Sequence, residues 1–254
     1  MAIENIQINV ANVARSVAFY RDFLHAQPIG EPTDDRAMLD VVTATLELVL
    51  VNDPELSTWE ADDLQRGFRH VGFKVASVDA IVEKLKAAEV PFHLDPLEAE
   101  GGVRITFFFD PDGTLLELVE RDLQYNTVVD EELVEAERAL GVPARPRFDH
   151  VAVTVADFDK TKKHYDEFGF THHGTILQPH DSRGFEINYL KSDDTVLEIF
   201  TYQADTRGRE PQQGALGYRA ARLTGSATDD RVVGDARDGS VYADADGFAY
   251  TVRS

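Results

Sequence analysis

Apolar and polar positions alternate in short bursts along this chain, and one burst recurs three times in full. IENIQINV from Ile3, FRHVGFKV from Phe68 and FDHVAVTV from Phe148 each read as a mostly apolar strand whose third residue is polar: Asn5, His70 and His150. Seven positions after that residue stands a helix-capping type, Asn12, Ser77 or Asp157, and a helix-period pattern follows. Val13, Val17, Tyr20 and Leu24 predict the first helix, Val78, Ile81, Val82 and Leu85 the second, and Phe158, Thr161, Tyr165 and Phe168 the third, with a stop at Gly169. Each copy closes on a strand with an acid among apolar neighbours: Glu47 in TLELVLV, Glu117 in TLLELVE and Glu198 in TVLEIFT.

A damaged fourth copy opens at Leu216 as LGYRAARL; its segment 224–230 is polar and too brief for the usual helix. Its closing hairpin signal, Asp244 to Gly247, matches Asp110, Pro111, Asp112 and Gly113 of copy two. A strand, a helix and about three strands, repeated, predict an α+β fold: four βαβββ modules, the fourth truncated, paired into two curled mixed-sheet domains with the helices outside. Copies one and two are expected to form a first domain over 1–125 and copies three and four a second, degenerate one over 147–254. A helical linker over 126–146 joins them. Its stretch 129–140 is acidic and reads as a solvated helix, followed by Gly141 and a boundary near Pro143.

Composition narrows the chemistry. The chain has 254 residues, a formal charge of −21 and no cysteine. Disulfides and thiolate metal sites are thereby excluded, so a metal would need His, Asp, Glu or neutral oxygen ligands. The negative charge disfavours nucleic acid and anionic membranes. No apolar run approaches the roughly 18 residues of a spanning helix, and no leader pattern stands at the start, so a cytoplasmic protein is expected.

In its repeated modules, and most specifically in HVGFKV plus FFFDPDGTLLELVE of copy two, the chain resembles the vicinal oxygen chelate superfamily of glyoxalase I, fosfomycin and bleomycin resistance proteins, methylmalonyl-CoA epimerase and extradiol dioxygenases. The resemblance implies that first and last strands of paired modules line a cleft and supply metal ligands. Carried over by position, it offers Asn5, Glu47, His70 and Glu117 in the first domain, with Glu117 and Glu47 as candidate catalytic groups. The second would retain His150 and Glu198 as vestiges, with Tyr218 and Thr251 where a His and a Glu would be needed. One imidazole and two carboxylates, with Asn5 as a neutral oxygen donor, imply an oxygen-rich site in which Mn, Fe, Ni or Mg competes with Zn.

The implied activity is that of a metal-dependent lyase, isomerase or epimerase acting on vicinal oxygens of a small molecule. The alternatives are a metal-free drug- or aromatic-binding protein and, more weakly, an extradiol dioxygenase, whose ligand set is missing from copies three and four as aligned. The partners implied are a small-molecule substrate, with no nucleic acid or membrane, and the assembly a monomer or homodimer. Arg104, His93 and Phe107 are candidate substrate contacts: Arg104 as an anion clamp or else a surface ion pair with Glu98 or Glu100, and Phe107 as a stacking ring or else core. The glutamates could instead face solvent from alternating strands, and Asn5 could be an edge hydrogen-bonder. His172, His173 and His180 lack ligand-pair spacing and are read as solvated loop histidines.

Overall fold

In the computed structural model, which describes residues 3–225, 230–237 and 239–253, each predicted module is present. Copy one contains β1 (Ile3–Val10), α1 (Val13–Leu24), β2 (Gln27–Pro28), β3 (Arg36–Asp40) and β4 (Thr45–Leu50). Copy two contains β5 (Gly67–Val75), α2 (Val78–Ala87), β6 (Phe92–Glu98), β7 (Arg104–Phe109) and β8 (Leu115–Glu120). The connection contributes β9 (Thr127–Val128) and α3 (Glu131–Ala139), and copy three β10 (Arg147–Thr154), α4 (Phe158–Asp166), β11 (Thr171–Leu177), β12 (Glu186–Ser192) and β13 (Thr195–Thr201). Copy four supplies β14 (Gly217–Thr224), β15 (Arg231–Ala236), β16 (Gly239–Ala243) and β17 (Ala249–Arg253). Its brief segment 224–230 lies partly outside the described residues, at 226–229.

The caps form as the sequence predicts. The side chains of Asn12, Ser77 and Asp157 accept from the backbone N–H groups of Arg15, Ala80 and Lys160, satisfying donors that a helix start leaves free. The predicted apolar stripes of α1 and α2 are buried, as are Thr161 and Tyr165 of α4. Helix α3 buries only Val134, as a solvated helix should.

The modules pair differently from the expectation of contiguous halves. One mixed sheet runs β15-β16-β17-β14-β1-β4-β3-β2, joining copies one and four; the other runs β6-β7-β8-β5-β10-β13-β12-β11-β9, joining copies two and three. The joints are antiparallel first strands, β1 with β14 and β5 with β10. Segments 1–125 and 147–254 are therefore not the units that share a sheet. Every module offers the same open edge on its first strand, so either pairing satisfies the backbone, and the local pattern does not distinguish them.

What links copy one to copy two is a latch rather than a shared sheet. The hydroxyl of Tyr20 on α1 donates to Asp110 at 2.7 Å, and Asp112 in the same turn accepts from the Ala11 N–H and the Ser16 hydroxyl. Copies three and four repeat it: Tyr165 donates to Asp244 at 2.7 Å, and Asp246 accepts from the Ala156 N–H. The two hairpin motifs thus dock the helix of the preceding module as well as turning the chain. Between the sheets runs one continuous core that includes Ile6, Tyr20, Phe73, Phe148, Leu197 and Phe248.

Candidate metal centre

Within the sheet of copies two and three, strand register brings two rows of side chains onto one face. Gly72 of β5 stands opposite Glu117 of β8 on one side and His150 of β10 on the other. Two residues along, Ala152 stands opposite His70 and Glu198. With a side-chain period of two, the rows share a face. His70 Nε2 lies 3.0 Å from His150 Nε2, 3.1 Å from Glu117 Oε2 and 3.2 Å from Glu198 Oε2. His150 Nε2 lies 3.0 and 3.3 Å from the same two carboxylate oxygens. All four side chains are buried, and one ligand atom from each falls within 4.8 Å of all the others.

Small residues make this convergence possible. A Cβ on Gly72 would come within 2.1 Å of His150 Cε1, so the imidazole occupies the space where a side chain would be. Ala152 gives His70 similar room across the pair. Asp149 Oδ2 lies 3.0 Å from His150 Nδ1, and Tyr189 donates to Glu198 Oε1 at 2.9 Å, so one imidazole and one carboxylate have fixed orientations. Phe107 meets the His70 ring edge-on at 4.9 Å.

The electrostatics are those of a compact ion cluster. Burial opposes the charge on His150, but Glu198, Asp149 and Glu117 outweigh it and raise the imidazole well above its ordinary value. Burial likewise opposes ionisation of Glu117, and His70 and His150 together more than offset it, holding the carboxyl below the usual range. Despite burial, His150, Lys74 and Arg147 lower Asp149 to about 2.

The donor set fits a divalent cation. Two imidazole nitrogens face each other at hydrogen-bond distance, and among the described residues the buried Glu117 Oε2 and Glu198 Oε2 meet no donor other than those same imidazoles. Four convergent acceptors of this kind are costly to bury unless a cation or shared protons neutralise them. A mixed imidazole and carboxylate set suits the first-row divalent ions. Beside the cluster opens a cavity of about 510 Å³ whose walls include Val103, Ile105, Phe107, Phe185 and Phe200.

Several sequence-based assignments change. His150 and Glu198, expected as vestiges, complete the cluster with His70 and Glu117. Asn5 and Glu47, expected as ligands, stand on β1 and β4 of the other sheet. Asn5 donates to Thr45 Oγ1 at 2.9 Å; Glu47 pairs with Arg36 at 2.7 Å and accepts from Gln7 at 2.8 Å. The reason is the exchange of module partners, which takes copy one away from copy two. Register also moves the fourth copy by two residues: β14 places Ala220 opposite Gln7, so Ala220 rather than Tyr218 is the counterpart of His150, while Thr251 remains the counterpart of Glu198.

His93 and Phe107 line the cavity. Arg104 does not; its guanidinium is engaged by Asp79 at 2.7 Å and by Glu98 at 3.4 Å on the outside of the sheet. Nor are His172 and His173 loop residues. Both lie on β11, and His173 is buried between the Tyr125 hydroxyl at 2.9 Å and Glu137 at 3.0 Å, whereas His180 is exposed in a loop. Sequence reasoning passed over Gly72, Asp149 and Tyr189. The small residue two places after each histidine, Gly72 and Ala152 against Gln7 in copy one, was the available signal.

Two mixed sheets built from four repeated modules, with imidazoles and carboxylates gathered on the middle strands of one sheet, define a glyoxalase-like fold with a candidate metal centre. Residues 2–118 match the family model of the Glyoxalase/Bleomycin resistance protein/Dioxygenase superfamily. The chain is also 35% identical over 127 residues to the uncharacterized protein YwkD of Bacillus subtilis (strain 168), covering 47% of this chain and 97% of that relative. The chain belongs to this superfamily. Glyoxalase I from Zea mays superposes over 99% of this chain and 91% of its own with a TM-score of 0.67 at 17% identity. A point mutant of that enzyme gives 0.69 at 16% identity, covering 99% and 91%. At such identities the likeness is one of fold. Among the described residues no helix is long and apolar enough to cross a membrane.

Proposed function

We propose that this protein is a metal-dependent lyase, isomerase or epimerase that gathers two neighbouring oxygens of an apolar small molecule onto a divalent ion held by His70, Glu117, His150 and Glu198. The observation that carries this is the convergence of four buried ligand atoms, two of them carboxylate oxygens that meet only the two imidazoles among the described residues. When bound, such an ion supplies polarisation of a carbonyl and neutralises charge developing on its oxygen. The expectation of an oxygen-rich site rested on Asn5; with two imidazoles instead, the borderline ions Zn, Ni, Fe and Mn are favoured over Mg.

Glu117 is the group placed to move a proton. It lines the cavity and is held ionised by the two imidazoles. Glu198 is tethered through Oε1 to Tyr189, whereas no such tether holds Glu117 among the described residues. The apolar walls exclude water and orient the substrate's carbon skeleton. Asp63, Glu98, Glu100 and Asp149 also line the cavity, and the lining Arg69 is engaged by Asp63. Uncharged or cationic substrates are therefore favoured over anionic ones.

Copies three and four lie in different sheets, so the ligands missing from copy four do not bear on a dioxygenase. What disfavours that reading is the donor set: dioxygen chemistry would use an open set of two histidines and one carboxylate, whereas two histidines and two carboxylates converge here. The test is metal analysis of the purified and reloaded chain. One tightly held divalent ion per chain is expected, with the Glu117→Gln variant keeping the fold and losing substrate proton exchange with solvent. No ion retained under any loading condition would end the proposal and leave a metal-free binding protein.

A further inference from the structure

Away from the metal centre, a second cavity of about 600 Å³ opens where the two sheets meet, between the start of β5, the β7–β8 turn and the start of β14. Its walls carry Trp59, Phe68 and Tyr218. The Phe68 and Tyr218 rings stack at 3.9 Å with an interplanar angle of 2°, and Trp59 lies 6.2 Å from Phe68, fixed by its Nε1–H donating to the Phe68 carbonyl at 2.9 Å. Into this aromatic setting the chain puts one guanidinium. Arg209 lines the cavity and makes no ion pair with a described carboxylate; its Nη1 donates to the Glu210 carbonyl at 3.3 Å, and its buried Nε has no acceptor among the described residues. The neighbouring Arg66 and Arg207 are by contrast each paired with acids. Thr114, also on the wall and buried, turns its hydroxyl to that of Tyr20.

In a chain of charge −21, this half-buried arginine has no described carboxylate paired with it. Of the acids at the cavity, Asp112 is already bound by the Ala11 N–H, Arg15 and Ser16, and Glu55 is exposed. Burial lowers the guanidinium below its ordinary value, which is the cost of holding this charge without a counter-ion. A carboxylate is the natural complement, accepting from the arginine while its ring lies along Trp59. We infer that this cavity is a second small-molecule site, separate from the metal centre, which takes a planar aromatic carboxylate against Trp59 with its anionic group on Arg209.

Trp59 is the chain's one tryptophan, so its fluorescence reports on this cavity directly. The full chain is titrated with benzoate, with benzyl alcohol as the ring without the charge and inorganic phosphate as the charge without the ring. Saturable change with benzoate is expected, at least about tenfold tighter than with either control. Arg209→Met should weaken benzoate about tenfold. Arg209→Met removes an unpaired charge, so its melting temperature should be unchanged or raised, which separates lost binding from lost folding. His150→Ala should leave the benzoate response as it is. The inference is overturned if wild-type fluorescence does not respond saturably to benzoate, or if benzyl alcohol binds as well. It is equally overturned if Arg209→Met binds normally, or if His150→Ala abolishes the response, which would place the carboxylate at the metal centre.

Discussion

The two sheets repeat one architecture and differ at three of four equivalent positions. Where copies two and three place His70, Glu117, His150 and Glu198, copies one and four place Asn5, Glu47, Ala220 and Thr251. The places that are small in the first sheet are large in the second: Gln7 stands for Gly72, and Arg222 for Ala152. The one acid retained, Glu47, is neutralised by Arg36 and receives the Gln7 amide, so the second sheet satisfies internally a carboxylate that the first leaves facing its fellow ligands. A ligand cluster therefore needs the ligands and also the absent side chains beside them. What both halves keep is the tyrosine–aspartate latch, which serves assembly and not chemistry.

The sharpest way to break this contrast is His150→Ala, expected to weaken divalent metal binding by about 100-fold or more in a calorimetric titration, because a primary donor is lost. Glu47→Ala, in the equivalent sheet, should leave the affinity unchanged and cost only about 1 kcal/mol of stability through the partly exposed Arg36. Equal losses from the two variants would refute the assignment of the centre to one sheet. Next in size is Gly72→Ala: its Cβ must displace the His150 ring, so a loss of metal affinity of at least about tenfold is expected with little change in unfolding midpoint, since a side chain rather than backbone gives way. Retained affinity would show that the ring position does not matter.

Tyr189→Phe removes the tether on Glu198 and should cost about tenfold in metal affinity. A further test concerns the feature the halves share. Burial raises Asp110 from 3.8 to about 6 even though Tyr20 and the Thr114 and Asp112 N–H groups favour its charge, and Asp244 is raised to about 6 in the same way. A raised carboxyl means that the folded state holds the proton more tightly. Its stabilising contribution is complete below about pH 4 and is lost as the pH rises through about 6. Melting curves should therefore show the stability of the wild type, relative to Asp110→Asn, falling across that window, with Asp244→Asn giving a matching profile. A flat difference would mean that the latch carries no proton linkage.

Much of the fold was legible because it is written locally. Asn12, Ser77 and Asp157 cap helices by reaching a backbone group three residues on, and the apolar stripes of α1 and α2 point inward by helical period alone. Half of the candidate metal cluster, His70 and Glu117, was legible for the same reason, as two strands of one module. The other half was visible as recurrence but assigned to the wrong role, because equivalent positions do not say which modules face each other. His173 shows the same limit: adjacent histidines in a polar stretch resemble a loop, and only the packing of Tyr125 and α3 against β11 buries one of them.

The sequence by itself determined four modules, their strands and caps, the latching turns, and the pairing of a first-strand imidazole with a last-strand carboxylate. These follow from interactions between residues near in the chain or fixed by one module's own hydrogen bonds. The tertiary structure alone decided that β5 joins β10 and β1 joins β14. Because every first strand presents the same unsatisfied edge, that choice depends on how whole modules pack, and it alone put two histidines 3.0 Å apart and left Glu47 to an arginine.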